Sequence, residues 1–353
     1  EDYRGLQGMT DKKYLYIFLL FTLSFVLFHF LTWNLNTKIF FDVEDGYKVG
    51  DLGRLSYSKE AIIQRRTEYN LPLRHKNYNK KDAYIVTIGD SFSNGDSGGL
   101  NPYYQDYIAT TKNVTVLNIQ KSGMGYIETI LMLNKSGFLD KLNTKNIILQ
   151  ISERHAVSEL SRSINWNVNP KEGQVENILE SKYNKEKLKL AFINNMNYNS
   201  ILYPMLYKFD DNAFFSKVYK VNLRQQFFNN KSKKLLFFSD DLENVKNSTI
   251  VSVSLLNANL NKLQEILKNS KVNLHFMPAV DKFNLYYKYI ENNIYNESVF
   301  FELLREMPRE YTLVDTKKIL RDLTDLGVKD VFYADDTHWS NIASKEIVKN
   351  IEF

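Results

Sequence analysis

The sequence predicts an α/β fold: a mainly parallel sheet wrapped by helices, behind one helix long enough to cross a membrane. Three observations predict it. Short β-branched runs recur along the chain, stretches of helical spacing lie between them, and one apolar run without charge stands near the N-terminus.

Residues 14–33 carry no charge and are rich in Leu, Phe and Ile, matching the ~20 residues of a bilayer-spanning helix. Tyr14, Tyr16 and Trp33 stand near its ends, as interfacial anchors do. Lys12 and Lys13 precede the run, while Asp42, Glu44 and Asp45 follow it. That bias predicts residues 1–13 inside, a transmembrane anchor at 14–33, and the remainder outside the cytoplasm. A cleaved signal peptide is the rival reading, disfavoured because the run is long and no small-x-small site follows. A buried core helix is a third. Met9 would serve as a natural start, with residues 1–8 a remnant of other origin.

Residues 34–82 are polar, charged and without strong periodicity, and read as a stalk or entry segment. At Ala83 the pattern changes. The run 83–88 (AYIVTI), closed by Gly89, has the character of a buried strand. Similar runs follow at 114–119, 146–151, 272–277 and 312–314. Between them, Pro102 opens a helix that Asn101 would cap. A second helix spans 127–142, and a third, at 255–267, shows Leu256, Leu260, Leu263 and Leu267 on one face. The catalytic-type domain is thus expected over 83–353, with an Asn- and aromatic-rich insertion at about 160–250.

Composition narrows the function. The 353 residues hold 46 Lys and Arg against 41 Asp and Glu, a net charge of +5 that gives no field for nucleic acid. The chain has no cysteine, which removes disulfides, thiolate nucleophiles and Cys-ligated metal centres.

Gly89-Asp90-Ser91-Phe92 follows the first strand directly. Active sites of open parallel sheets gather at the carboxyl ends of strands, so a serine there projects its hydroxyl into the cleft. The alternative is ordinary turn chemistry. The G-x-S-x-G elbow is not matched, since position 93 is Ser. Serine needs a base, and the chain offers five histidines. His29 lies in the apolar run, His75 in the entry segment, His155 after the third strand and His275 within the fourth. His338 stands in 333–340 (YADDTHWS), where Asp335 or Asp336 could orient the imidazole. A solvated acidic turn or a small metal site are the plainer alternatives, though no other His clusters there for a metal.

GDSF after the first strand, together with DDTHWS near the C-terminus, resembles the SGNH hydrolase class. The continuation HWS and the stretch 277–282 (MPAVDK) followed by Tyr286 resemble its alginate O-acetyltransferase branch, which acetylates cell-surface polymers. The likeness covers residues 83–160 and 271–350. It implies a flavodoxin-like three-layer fold, Ser91 as nucleophile and His338 as base. Counting back three residues gives Asp335 as the acid, as in most of the class; counting back two gives Asp336, favoured by the Trp that follows His338. In 118–125 (NIQKSGMG) the resemblance nominates Gly123 as an oxyanion donor. The Asn expected in the third block is absent, since the third strand ends in Ser152-Glu153-Arg154-His155. Arg154 could replace it as a cationic donor, or the pair Glu153–Arg154 could be a structural brace.

The implied activity is transfer of an acetyl group through a Ser91 acyl-enzyme onto hydroxyls of a cell-surface polysaccharide, without a cofactor. A domain outside the membrane cannot reach cytosolic acetyl-CoA, so a multipass membrane O-acyltransferase is the implied donor partner, with the anchor keeping the two together in the lipid bilayer. A surface esterase or deacetylase using the same triad is the first alternative, and a non-catalytic polymer-binding scaffold the second. The insertion at 160–250 could form a carbohydrate platform or simply pack.

Overall fold

The computed structural model describes residues 2–42, 46–47, 49–63, 70–76, 82–96, 101–170, 173–175, 191–230 and 232–353. Helix α1 (Asp2–Phe40) is followed by the short helix α2 (Asp51–Ser56). Strand β1 (Ile85–Ile88) leads through α3 (Tyr104–Lys112) to β2 (Val116–Ile119). Helices α4 (Tyr126–Lys135) and α5 (Phe138–Lys141) then lead to β3 (Asn146–Ser152). Next come α6 (Glu153–Leu160), α7 (Asn195–Leu206) and the antiparallel hairpin of β4 (Val218–Asn222) and β5 (Lys234–Phe238). Helices α8 (Ser239–Asn247) and α9 (Ile250–Lys268) precede β6 (Asn273–Ala279). Helices α10 (Lys282–Tyr286) and α11 (Phe300–Glu306) precede β7 (Thr312–Leu313), and α12 (Thr316–Asp325) and α13 (Asn341–Lys349) are last.

The chain divides into two compact units: Glu1–Val49 with Glu186–Ser216, and Gly50–Lys185 with Lys217–Phe353. In the second unit a five-stranded sheet runs in the order β2-β1-β3-β6-β7, parallel at every pairing. Each strand matches one of the five apolar runs. Every residue of β1 and β3 is buried, so apolar residues run together there instead of alternating with polar ones, with Thr87, Asn146, Gln150 and Ser152 as the polar exceptions. Among the strands of this sheet the order is 2-1-3-4-5, that of flavodoxin-like sheets. The first crossover steps one way along the sheet and the second steps back. Right-handed connections therefore put α3 and α4 on opposite faces, and the sheet direction reverses between β1 and β3.

Local chemistry sets the helix ends. Thr249 and Ser252 form a reciprocal capping box at the start of α9, and Leu256, Leu260, Leu263 and Leu267 of its inner face are fully buried. Burial of each such side chain contributes about 1.5–3 kcal/mol. The helix expected over 127–142 is two helices, because Gly137 takes the left-handed conformation (φ 71°) between α4 and α5. Asn101 does not cap α3; that helix starts at Tyr104, and the Asn101 side chain accepts from Arg74 instead.

The stretch expected as a stalk is ordered in parts. Helix α1 continues past Trp33 to Phe40, and residues 50–61 belong to the second unit, where Leu52 and Ala61 are buried. The insertion is shared out too: the β4–β5 hairpin and α8 join the second unit, while α7 packs against α1 in the first. There, α1 is long and apolar enough over Asp11–Phe40 to cross a membrane, and its apolar side chains at 14–27 are exposed.

Candidate active site

β1 ends at Ile88 and the chain turns sharply through Asp90 and Ser91. Asp90 shapes this turn with both carboxylate oxygens. One accepts from the Phe92 N–H at 3.1 Å, and the other from the Ser152 N–H at the end of β3, at 2.6 Å. The carboxylate thus joins the carboxyl ends of β1 and β3, the pair between which the strand order reverses. Open α/β sheets form their ligand crevice at that point.

Ser91 Oγ lies 2.8 Å from His338 Nε2, although 247 residues separate them in sequence. His338 Nδ1 lies 2.7 Å from Asp336 Oδ1, which also accepts the His338 backbone N–H at 3.0 Å. An ionised carboxylate only accepts, so Nδ1 carries the ring proton and Nε2 is left to receive one from Ser91. The ring is buried and packs on Phe92, with centroids 4.6 Å apart. Burial alone would depress its pKa. The charge and hydrogen bond of Asp336, with the charge of Asp51, outweigh that and hold it above the ordinary 6.5.

Asp335 is turned away. Its carboxylate accepts the Gly50 N–H at 3.1 Å, and its carbonyl accepts the Gly53 N–H at 2.8 Å. This strap needs glycine: a Cβ on Gly50 would strike the Asp335 carbonyl, and one on Gly53 would sit 2.8 Å from the Asp335 Cβ. The geometry therefore pairs Asp336 with His338 and gives Asp335 a structural bond.

Asp51, between those glycines, accepts the Thr337 N–H at 2.8 Å. Burial first, and then repulsion from Asp336, push its pKa up to about 7. Ligand atoms of Asp51, Asp336 and His338 lie within 4.8 Å of one another, close enough for a metal ion. Such an ion could take His338 only if the ring gave up Ser91 or Asp336.

Two buried cations hold the loop from the other side. Lys282, at the start of α10, donates to the carbonyls of Tyr333, Ala334 and Asp336 at 2.7, 2.9 and 3.0 Å. Arg154, in the first turn of α6, bonds Asp241 at 2.9 Å, Asp281 at 3.2 Å and Thr337 Oγ1 at 2.9 Å. Three of its five N–H groups are taken by these partners, so it positions the loop at 337. It does not pair with Glu153. That carboxylate is buried separately and accepts from the Asp281 N–H, Asn284 and Ser298.

Gly123 sits in the exposed turn after β2. Among the described residues neither its N–H nor that of Ser91 has an acceptor. The other histidines have different partners: His75 meets Asp106 at 2.7 Å, His155 meets Ser152 at 3.0 Å, and His275 meets Asn146 at 3.0 Å. A cleft of about 430 Å³ opens beside Arg154, lined also by His155, Val157, Ser158, Asp240, Glu243 and Asn244; Ser91 and His338 do not line it.

Sequence reasoning missed Asp51, Asp241 and the clamp at Lys282. Lys282 follows Asp281 directly, a pairing that gives no hint of its partners at 333–336. Asp51 and Asp241 lie in polar surroundings that carry no signal either. No protein-family model, no curated protein and no solved structure matches this chain.

Proposed function

We propose that this chain is a serine acyltransferase of SGNH type, anchored in a membrane by α1, that transfers acetyl groups onto hydroxyls of a cell-surface polysaccharide. The observation that carries the reading is the hydrogen-bonded line Ser91–His338–Asp336 at the switch point of a parallel sheet.

His338 Nε2 takes the Ser91 hydroxyl proton as Oγ attacks the carbonyl carbon of an acetyl donor, and Asp336 stabilises the imidazolium. The Ser91 N–H, with that of Gly123, is free to meet the oxyanion. Collapse breaks the bond to the leaving group, which takes the proton from His338, and leaves Ser91 acetylated. A sugar hydroxyl then gives its proton to His338 and attacks the same carbon. Ser91 departs and recovers the proton.

The acetyl donor would come from a multipass acyltransferase in the same membrane. The charge bias around the apolar run supports placing the catalytic unit outside the cytoplasm. In this reading Ser91→Ala abolishes polymer acetylation in cells, and brief exposure of the purified chain to an activated acetyl ester adds one acetyl group to Ser91, dependent on His338. Unchanged polymer acetylation in the Ser91→Ala strain would remove the enzyme reading. Acetate release that no added oligosaccharide diverts would replace transfer with hydrolysis.

A further inference from the structure

Helix α7 covers the polar groups of α1 and leaves an apolar face of its own uncovered. His29 of α1 is fully buried: Asn197 Nδ2 donates to its Nδ1 at 2.8 Å, and Tyr198 Oη lies 2.8 Å from its Nε2. Asn36 donates to the Met196 carbonyl at 3.3 Å and to Ser200 Oγ at 3.1 Å. Trp33 meets Phe192 with ring centroids 6.1 Å apart. These contacts fix α7 beside the C-terminal end of the uncharged run 14–33.

Depth follows from helix geometry. His29 stands four residues before Trp33, roughly 6 Å along the axis. An interfacial helix buries its apolar face about 5–10 Å into the boundary between headgroups and acyl chains. If α1 crosses a bilayer, α7 lies at that depth. Its sequence fits the position: residues 191–207 (AFINNMNYNSILYPMLY) contain no charge, and charge resumes at Lys208, Asp210 and Asp211. Ile201, Leu202 and Met205 are 49%, 46% and 57% exposed, and Phe209, Phe214 and Phe215 extend the patch beyond the helix. Apolar surface of this extent marks a contact site. The exposed Leu and Phe side chains of α1 in the same unit require a hydrocarbon surrounding, and α7 adjoins them.

We propose that α7 is a second membrane-seated segment, lying beside α1 with Ile201, Leu202 and Met205 against lipid. The buried His29 is then the polar seam that holds the two helices together.

The cysteine-free chain allows a direct test. Single nitroxide labels are placed on the full chain through Leu202→Cys and Met205→Cys, in vesicles of phosphatidylethanolamine and phosphatidylglycerol. Phe21→Cys in α1 and Leu326→Cys, 80% exposed in the other unit, serve as references. Collision with oxygen is compared with collision with a water-soluble nickel chelate. At 202 and 205 the oxygen-to-nickel ratio should exceed that at 326 several-fold and fall below that at 21, which lies nearer the bilayer centre. Nickel access like that at 326 would overturn the proposal. So would shielding from both reagents, which would mean that protein covers the face. Nickel access at 21 would overturn it as well, since α1 would not then be in a bilayer.

Discussion

The ammonium of Lys282 donates to the carbonyl oxygen of Asp336 at 3.0 Å, so the residue that orients His338 is gripped through its backbone as well as its carboxylate. With the Tyr333 and Ala334 carbonyls, this uses all three ammonium protons. Burial pulls the Lys282 pKa down to about 8, against the upward influence of Asp335 and Asp336. The fold spends stability on that buried charge, and what it gains is a loop of one shape.

Lys282→Met keeps the side chain's bulk but leaves three buried carbonyls without a donor. The expected loss is about 2–5 kcal/mol of stability in urea unfolding. Acylation by p-nitrophenyl acetate should fall further than the folded fraction explains. A variant as stable and as fast as the parent would show that the clamp is idle.

Asp336→Asn and Asp335→Asn should part company. The first replaces the acceptor-only carboxylate, which fixes the His338 tautomer and stabilises its imidazolium, with a neutral amide, and should slow Ser91 acylation by about 10³–10⁴-fold. The second weakens the bond from the Gly50 N–H and removes one charge that supports Lys282, so turnover should stay within a few-fold while stability drops by roughly 1 kcal/mol. Burst kinetics on both variants check the assignment, and equal losses would contradict it.

Asp51 gives a pH signature. Its folded value of about 7 lies above the ordinary 3.8, so between those values the folded chain holds a proton that the unfolded chain has released. Its contribution to stability therefore falls as pH rises through this window, and the ionised form is a cost above it. Asp51→Asn keeps an oxygen for the Thr337 N–H. The thermal midpoint at pH 8 should rise. In the proposed reaction the base is neutral His338, whose pKa Asp51 helps to raise, so the acid limb of the rate profile should move to lower pH. An unmoved limb would separate Asp51 from the imidazole.

Arg154→Met should strand Asp241 and Asp281, two buried carboxylates that share one guanidinium. The expected cost near neutral pH is about 3–5 kcal/mol. Burial raises both carboxyl pKa values, and for Asp281 the charge of Asp241 adds to the rise. The deficit should shrink as pH falls and they take up protons. Thermal unfolding of the variant across the acid range measures this, and a constant deficit would refute the pairing.

The sheet was legible because a strand buried on both faces is written as a mostly apolar run instead of an alternating one, as Ile147, Ile148, Leu149 and Ile151 are within 146–151. Ser91 and His338 were legible because a serine at a strand's end and an imidazole beside carboxylates are rare chemistry in a chain with five histidines. The choice between Asp335 and Asp336 was not, since both are within reach along the chain and only the distant partners Gly50 and His338 tell them apart. The same holds for Arg154: its three partners come from residues 241, 281 and 337, and no local spacing announces them. Helix α7 was hidden because its partner is α1, more than 150 positions upstream, so its sequence reads merely as a loop rich in Asn and aromatics.

The contacts of Gly50, Asp51 and Gly53 with residues 335–337 bear on how a soluble fragment could be cut. A truncation beginning after Tyr57 would keep the serine, the imidazole and the carboxylate, yet delete every stitch on one side of the loop that carries two of them. The stretch just after the apolar helix thus braces the 335–337 loop, and a fragment that keeps those contacts has to start no later than Val49.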